Sequence, residues 1–228
     1  MHIHFIGHAC FYLEGQAKII IDPFISGNPA AVQSVEEFNV DYILLSHAHG
    51  DHLGDALQIA KRTGAVIVSV YEVAAYCSGH GAKTHAMHIG GSHRFGDIRI
   101  KLTPALHGSS VVTEDGRVET LGNPCGFIIN MNGKTIYHSG DTGLFSDMGL
   151  IGKFNDLDLA LLPIGDNFTM GPEDALEAVR FLNPKTVIPM HYNTWPLIEQ
   201  DAGLFKNNVE KETMSQVVIL KPGKSCRL

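Results

Sequence analysis

Apolar residues in this chain come in short runs separated by turn-forming residues, and no helical or repeat period extends through the whole chain. Runs at 2–6, 11–13, 18–21, 42–45 and 65–69 are rich in Ile, Val, Leu, Phe and Tyr and short enough to be strands. Stretches 55–62 and 70–77 between and after them have helical spacing. The second half repeats the pattern, with strands predicted at 98–103, 126–131, 134–138, 157–162 and 186–189 and helices at 172–181 and 197–207. Pro172 suits a first helical turn, where its missing N–H costs nothing. Asn132-Gly133 between two β runs signals a type I′ hairpin, because both residues tolerate positive φ. The pattern predicts a mixed α/β protein of two similar halves.

At 228 residues the chain is long enough to bury one sizeable core, so a single domain over 1–228 is expected. A formal charge of −7, with the 17 Lys and Arg scattered, gives no electrostatic footprint for phosphates and makes a nucleic-acid partner unexpected. Cys10, Cys77, Cys125 and Cys226 form no CxxC pair; three of them read as small buried hydrophobes. No apolar run approaches the roughly 18 to 20 residues that span a bilayer, and no leader pattern opens the chain. The expected compartment is the cytoplasm.

Residues 47–52 read His-Ala-His-Gly-Asp-His, directly after the apolar run 42–45. Three imidazoles and a carboxylate in six positions are a donor set for zinc, manganese, iron or nickel, and burying them without a cation would be costly. In extended chain, residues two apart point the same way, so His47 and His49 can grip one ion together. A bend at Gly50 would free Asp51 and His52 for a second ion; paired hydrolytic ions sit roughly 3.5 to 4 Å apart. Four side chains do not complete two sites. Further donors stand where later apolar runs end: His107 after 98–103, Asp141 after 134–138 and His191 after 186–190, with Asp22 after Ile19-Ile20-Ile21.

This constellation, in this order, resembles the metallo-β-lactamase superfamily, and the resemblance covers nearly the full chain. Gly7-His8-Ala9-Cys10-Phe11, Ile21-Asp22-Pro23 and the segment Gly165 to Ala175 are similar to its compact branch, which includes ascorbate-6-phosphate lactonase and the phospholipase D acting on N-acyl phosphatidylethanolamine. The resemblance implies a four-layer αββα sandwich. It implies one ion on His47, His49 and His107, a second on Asp51, His52 and His191, and Asp141 bridging both. Asp22 would orient the metal loop through hydrogen bonds without touching metal, or else serve only as a turn residue before Pro23. Two divalent ions, zinc first and manganese, nickel or iron as alternatives, would supply a metal-bound hydroxide for hydrolysis of an ester, lactone or related small molecule. Asp51 is the expected proton carrier.

Other residues keep two readings. His8 either faces the substrate side of the cleft or is a satisfied core histidine, and His138 supports the site or, more in keeping with its strand position, the core. His80, His85, His88 and His93 fall in a Gly-rich region read as solvated loop. Residues 165–172 open a helix whose amides could receive an anionic substrate group, or merely shape the helix start; Thr169, Met170, Tyr192 and Trp195 either line the pocket mouth or pack. Apolar residues between Trp195 and Phe205 leave a homo-oligomer open. A metal-dependent phosphodiesterase or nuclease is the alternative activity. A di-iron redox protein is the rival from another class, opposed by His49, since flavodiiron relatives carry Glu there.

Overall fold

The N-terminal runs fold back on one another as an antiparallel ribbon, β1 (His2–Gly7), β2 (Cys10–Glu14) and β3 (Lys18–Ile21). The chain then changes to parallel pairing: β4 (Tyr42–Leu44) lies beside β3, followed by a short helix α1 (Gly50–Leu53), α2 (Ala56–Thr63), β5 (Val66–Val70), α3 (Tyr71–Gly79) and β6 (Lys83–Met87). The second half has the same plan. β7 (Ser92–Phe95), β8 (Ile98–Pro104), β11 (Cys125–Met131) and β12 (Lys134–His138) pair antiparallel, with the hairpin β9 (Ser110–Val112) and β10 (Val118–Thr120) inserted after β8. Parallel strands β13 (Leu159–Pro163), β14 (Thr186–Met190) and β15 (Gln216–Val217) follow, separated by α4 (Met148–Phe154), α5 (Pro172–Leu182) and α6 (Ala202–Glu212). The last strand, β16 (Lys224–Arg227), returns to pair with β1. The computed structural model describes residues 1–228 and arranges these strands as two seven-stranded sheets and the separate two-stranded β9–β10 ribbon.

Alternation along the second sheet shows how the layers are built. Ile98, Ile100, Leu102, Phe127, Ile129, Leu159 and Leu161 join the core shared with Ile3, Phe11, Leu13, Ile19 and Ile43 of the first sheet. Their neighbours Ile128, Tyr137, Ala160, Leu162 and Val187 form a second cluster with Met148, Ala175, Val179, Phe205 and Val209 of the outer helices. Strands buried on both faces must be apolar at successive positions, which is why Leu159–Pro163 is unbroken in sequence. Each fully buried Leu, Ile or Phe contributes about 1.5 to 3 kcal/mol. The αββα sandwich is therefore present.

α5 shows the local logic: Pro172 and two acids occupy its first turn, Ala175, Ala178, Val179 and Leu182 form its buried stripe, and Asn183 at φ +46° ends it. Asn132 and Gly133 have φ of +55° and +71°, as a type I′ turn requires. Three local expectations need correction. The region around His85 and His93 is not loop: these residues lie on β6 and β7, the outer strands of the two sheets, where exposed polar side chains mask the period of two. The helix expected at 197–207 is a 3-10 turn, Pro196–Ile198, followed by α6, whose start is fixed by Asp201 accepting the Leu204 amide at 3.0 Å. Gly50 is not a glycine-dependent bend. It begins α1 outside the left-handed region, and a Cβ there would meet nothing within 4 Å.

Candidate metal centre

Each candidate donor follows the C-terminal end of a strand: Asp22 after β3, His47 after β4, His107 after β8, Asp141 after β12 and His191 after β14. The loops that carry them interlock. Asp55 accepts the Ile25 and Ser26 amides at 2.9 Å each and donates its own amide to the Pro23 carbonyl at 2.8 Å. Gly140 before Asp141 has φ +63°, and a Cβ there would come within 2.6 Å of the Cys125 carbonyl, so only glycine brings this loop down onto its neighbour. His138 holds the same loop: its Nδ1 accepts the Gly140 amide at 3.0 Å and its Nε2 donates to the Ala9 carbonyl at 3.1 Å. The ring is fully buried, and burial keeps its pKa below the ordinary value.

His47, His49 and His107 bring one nitrogen each within 4.8 Å of one another, and His47 Nε2 is 3.0 Å from His49 Nδ1. Asp51, His52 and His191 form a second such group, which also contains His8. Asp141 joins the two. Its Oδ2 lies 2.9 Å from His191 Nε2, 3.3 Å from His52 Nε2 and 3.7 Å from His107 Nε2. Asp22 touches none of the other donors except His52: its Oδ1 accepts the Ser46 amide at 2.8 Å, and its Oδ2 accepts the Ser46 hydroxyl at 2.6 Å and His52 Nδ1–H at 2.8 Å. Its carboxylate is thus used up in positioning the loop, beyond the needs of a turn. Thr169 joins no donor group; its hydroxyl turns to the Met170 carbonyl at 3.3 Å. The start of α5 borders a cavity lined by Asp166, Glu173, Asp174 and Asp201, with Arg180 on the same wall.

Electrostatics make this cluster a seat for positive charge. Burial opposes protonation of His52, but Asp141 and Asp22 outweigh it and raise its pKa well above the ordinary histidine range. Burial likewise opposes ionisation of Asp141, yet His52 and His191 hold its carboxyl well below the usual range. Burial lowers His47, His49 and His107, leaving them neutral with free lone pairs. Because His52 Nδ1–H is committed to Asp22, its Nε2 is the donor end, and that atom is buried without a hydrogen-bond partner, as are Asp141 Oδ1 and His191 Nδ1. An unpaired buried polar atom costs about 1 to 3 kcal/mol, so three in one cluster call for an ion. Imidazole and carboxylate suit a divalent transition metal, and the residues present fit one.

Sequence reasoning did not identify Ser46, which bridges Asp22 and His47 Nδ1 at 2.6 and 2.9 Å, or Thr194, 2.8 Å from His8 Nδ1. Ser46 precedes His47 directly, which was the one available signal; Thr194 is 186 positions from its partner and gave none.

The description "Beta-lactamase superfamily domain" fits a family model over residues 17–192. A "UPF0173 metal-dependent hydrolase" of Pelotomaculum thermopropionicum is 64% identical over 228 residues, covering 100% of both chains. Another of that name from Desulforamulus reducens is 59% identical, again covering 100% of both. Among solved structures, Igni18, described as a metallo hydrolase from Ignicoccus hospitalis, superposes with a TM-score of 0.89 at 38% identity, covering 99% of this chain and 97% of its own. The full-length identity, the sandwich and the strand-end donors agree, and the chain belongs to the metallo-β-lactamase superfamily, within its UPF0173 metal-dependent hydrolases.

Proposed function

We propose that this metal-dependent hydrolase is dinuclear and cleaves a small ester, lactone or related acyl compound. The reading is carried by one observation: six side-chain donors in two groups meet at a seventh, Asp141, with three buried polar atoms left without protein partners. His47, His49 and His107 would hold one ion, and Asp51, His52 and His191 the other, with Asp141 serving both. Zinc is the first choice, manganese, nickel or iron the alternatives. Bound divalent ions supply Lewis acidity, which makes water acidic near neutral pH and stabilises developing oxyanion charge.

The chain's own residues supply orientation and proton transfer. Asp22 and Ser46 fix the His52 and His47 rings so that their remaining nitrogens face the cluster. Asp51 is the proton carrier. Its side chain is 28% exposed, so it borders the open side of the cluster, and although burial opposes ionisation, the His8 hydrogen bond and the His52 charge hold the carboxyl well below its ordinary range. It is therefore ionised at neutral pH, with a bare carboxylate oxygen available to the proton. Phe24 and Trp195, with ring centroids 6.2 Å apart, flank His8 and offer an apolar wall suited to a small organic substrate.

Metal analysis of protein purified without added metal, followed by assay on δ-valerolactone, p-nitrophenyl acetate, a thioester and bis-p-nitrophenyl phosphate, tests this reading. Two equivalents of metal and turnover of the lactone or ester are expected, with Asp51→Ala slowed by about 10²- to 10⁴-fold. Fewer than one equivalent under every loading condition would sink the proposal. Turnover of the phosphodiester alone would replace it with the phosphodiesterase reading, and coloured, iron-bound protein with the redox one.

A further inference from the structure

His8 lies outside the metal set proposed above, yet it is among the most constrained residues in the molecule. Its side chain is fully buried, its backbone stands at φ +58°, and its carbonyl accepts the His191 amide at 2.8 Å. Both ring nitrogens are engaged: Nε2 is 3.2 Å from Asp51 Oδ2, and Nδ1 is 2.8 Å from the Thr194 hydroxyl. The ring packs at 3.9 Å from His191 and 4.9 Å from Trp195, centroid to centroid. A non-glycine residue at positive φ is strained, and here that strain is what turns the imidazole from the β1–β2 connection onto Asp51.

We infer that His8, aligned by Thr194, is the positioning residue of Asp51: it grips Oδ2, the oxygen 4.0 Å from His52 Nε2 and so the one turned toward the ion site, and leaves Oδ1 without a protein partner for the proton transfer. The tautomer follows from the chemistry of the partners. An ionised carboxylate can only accept, so His8 Nε2 carries the hydrogen; Nδ1 must then accept from the Thr194 hydroxyl. Asp51 selects this tautomer, and Thr194, by donating to the bare Nδ1, holds the ring in line with the carboxylate. The same three residue types could suggest a nucleophilic triad. Thr194 is only 8% exposed and is reached through a fully buried ring, so it is placed to orient rather than to attack.

The rate arm of this inference rests on the hydrolase reading, whereas the tautomer arm does not. In zinc-loaded protein, long-range ¹H–¹⁵N spectra should show His8 Nε2 protonated and Nδ1 bare, with the Nδ1 resonance shifted in Thr194→Val as its hydrogen bond is lost. On p-nitrophenyl acetate or δ-valerolactone, Thr194→Val should lower kcat by about 10- to 100-fold with KM, metal equivalents and Tm unchanged, and Thr194→Ser should restore kcat to within about three-fold. A purely structural role would move Tm rather than kcat and would not be rescued by serine. Protonated Nδ1 in the wild type overturns the inference, as does wild-type kcat in Thr194→Val. If the expected tautomer is found but no substrate is turned over, the positioning of Asp51 stands and the hydrolytic reading is the one that fails.

Discussion

His52 has one nitrogen bound to Asp22 and the other unpartnered at the centre of the cluster, and this asymmetry makes an ordinary core carboxylate–histidine contact into a ligand held ready. A carboxylate behind an imidazole fixes its tautomer and raises its basicity. Asp22→Asn should therefore leave the fold intact while weakening apparent zinc affinity by about 10- to 100-fold in chelator competition; unchanged affinity would reduce Asp22 to a turn residue. At this scale the sequence was most legible where donors are close together or end an apolar run, as with 47–52, His107, Asp141 and His191. It was least legible for Ser46 and Thr194. Hydroxyl residues are common, and what distinguishes these two is the atom each faces across the fold.

The parallel pairing of β12 with β13 is anchored by Asp158, which accepts the Thr135 amide at 2.9 Å and meets Lys185 at 3.1 Å and Lys134 at 3.4 Å. Burial tends to raise its carboxyl pKa, but the Thr135 amide and the two lysines hold it below the ordinary value. A group depressed on folding stabilises the protein above its unfolded pKa, about 3.9, and that stabilisation disappears as pH falls through the lower folded value. Asp158→Asn should accordingly cost about 1 kcal/mol at pH 7, discounted because the lysines are solvent-screened, and the gap between variant and parent in urea unfolding should narrow below about pH 4. Central strands could be read from the sequence because burial on both faces forces apolar runs. β6, β7 and β16 could not, since outer strands carry Lys, His, Arg and Ser on their exposed positions and look like loop until a partner strand is present.

At the scale of the whole molecule, the metal cluster draws on loops of both halves, so ions bound there should tie the halves together. Free metal at about 1,000 times Kd adds about 4 kcal/mol per site, which for a chain of this size corresponds to roughly 10 °C in Tm. Calorimetry with and without EDTA checks this, and an unchanged Tm would contradict a metal centre that spans the fold. β16 makes the same join through backbone hydrogen bonds, returning the chain from the second half to pair with β1. No helix is long and apolar enough to cross a membrane. The sequence by itself determined the alternation of strands and helices, the donor types and the strand ends at which they stand, because periodicity and ligand chemistry are local properties. The family resemblance already placed Asp141 between the two donor groups; only the tertiary structure decided that Asp22 backs His52 and that His8 reaches Asp51 while held by Thr194. Those relations are distances between residues far apart in the chain, and they are set by how the two sheets pack and by the positive-φ turns at Gly140 and His8.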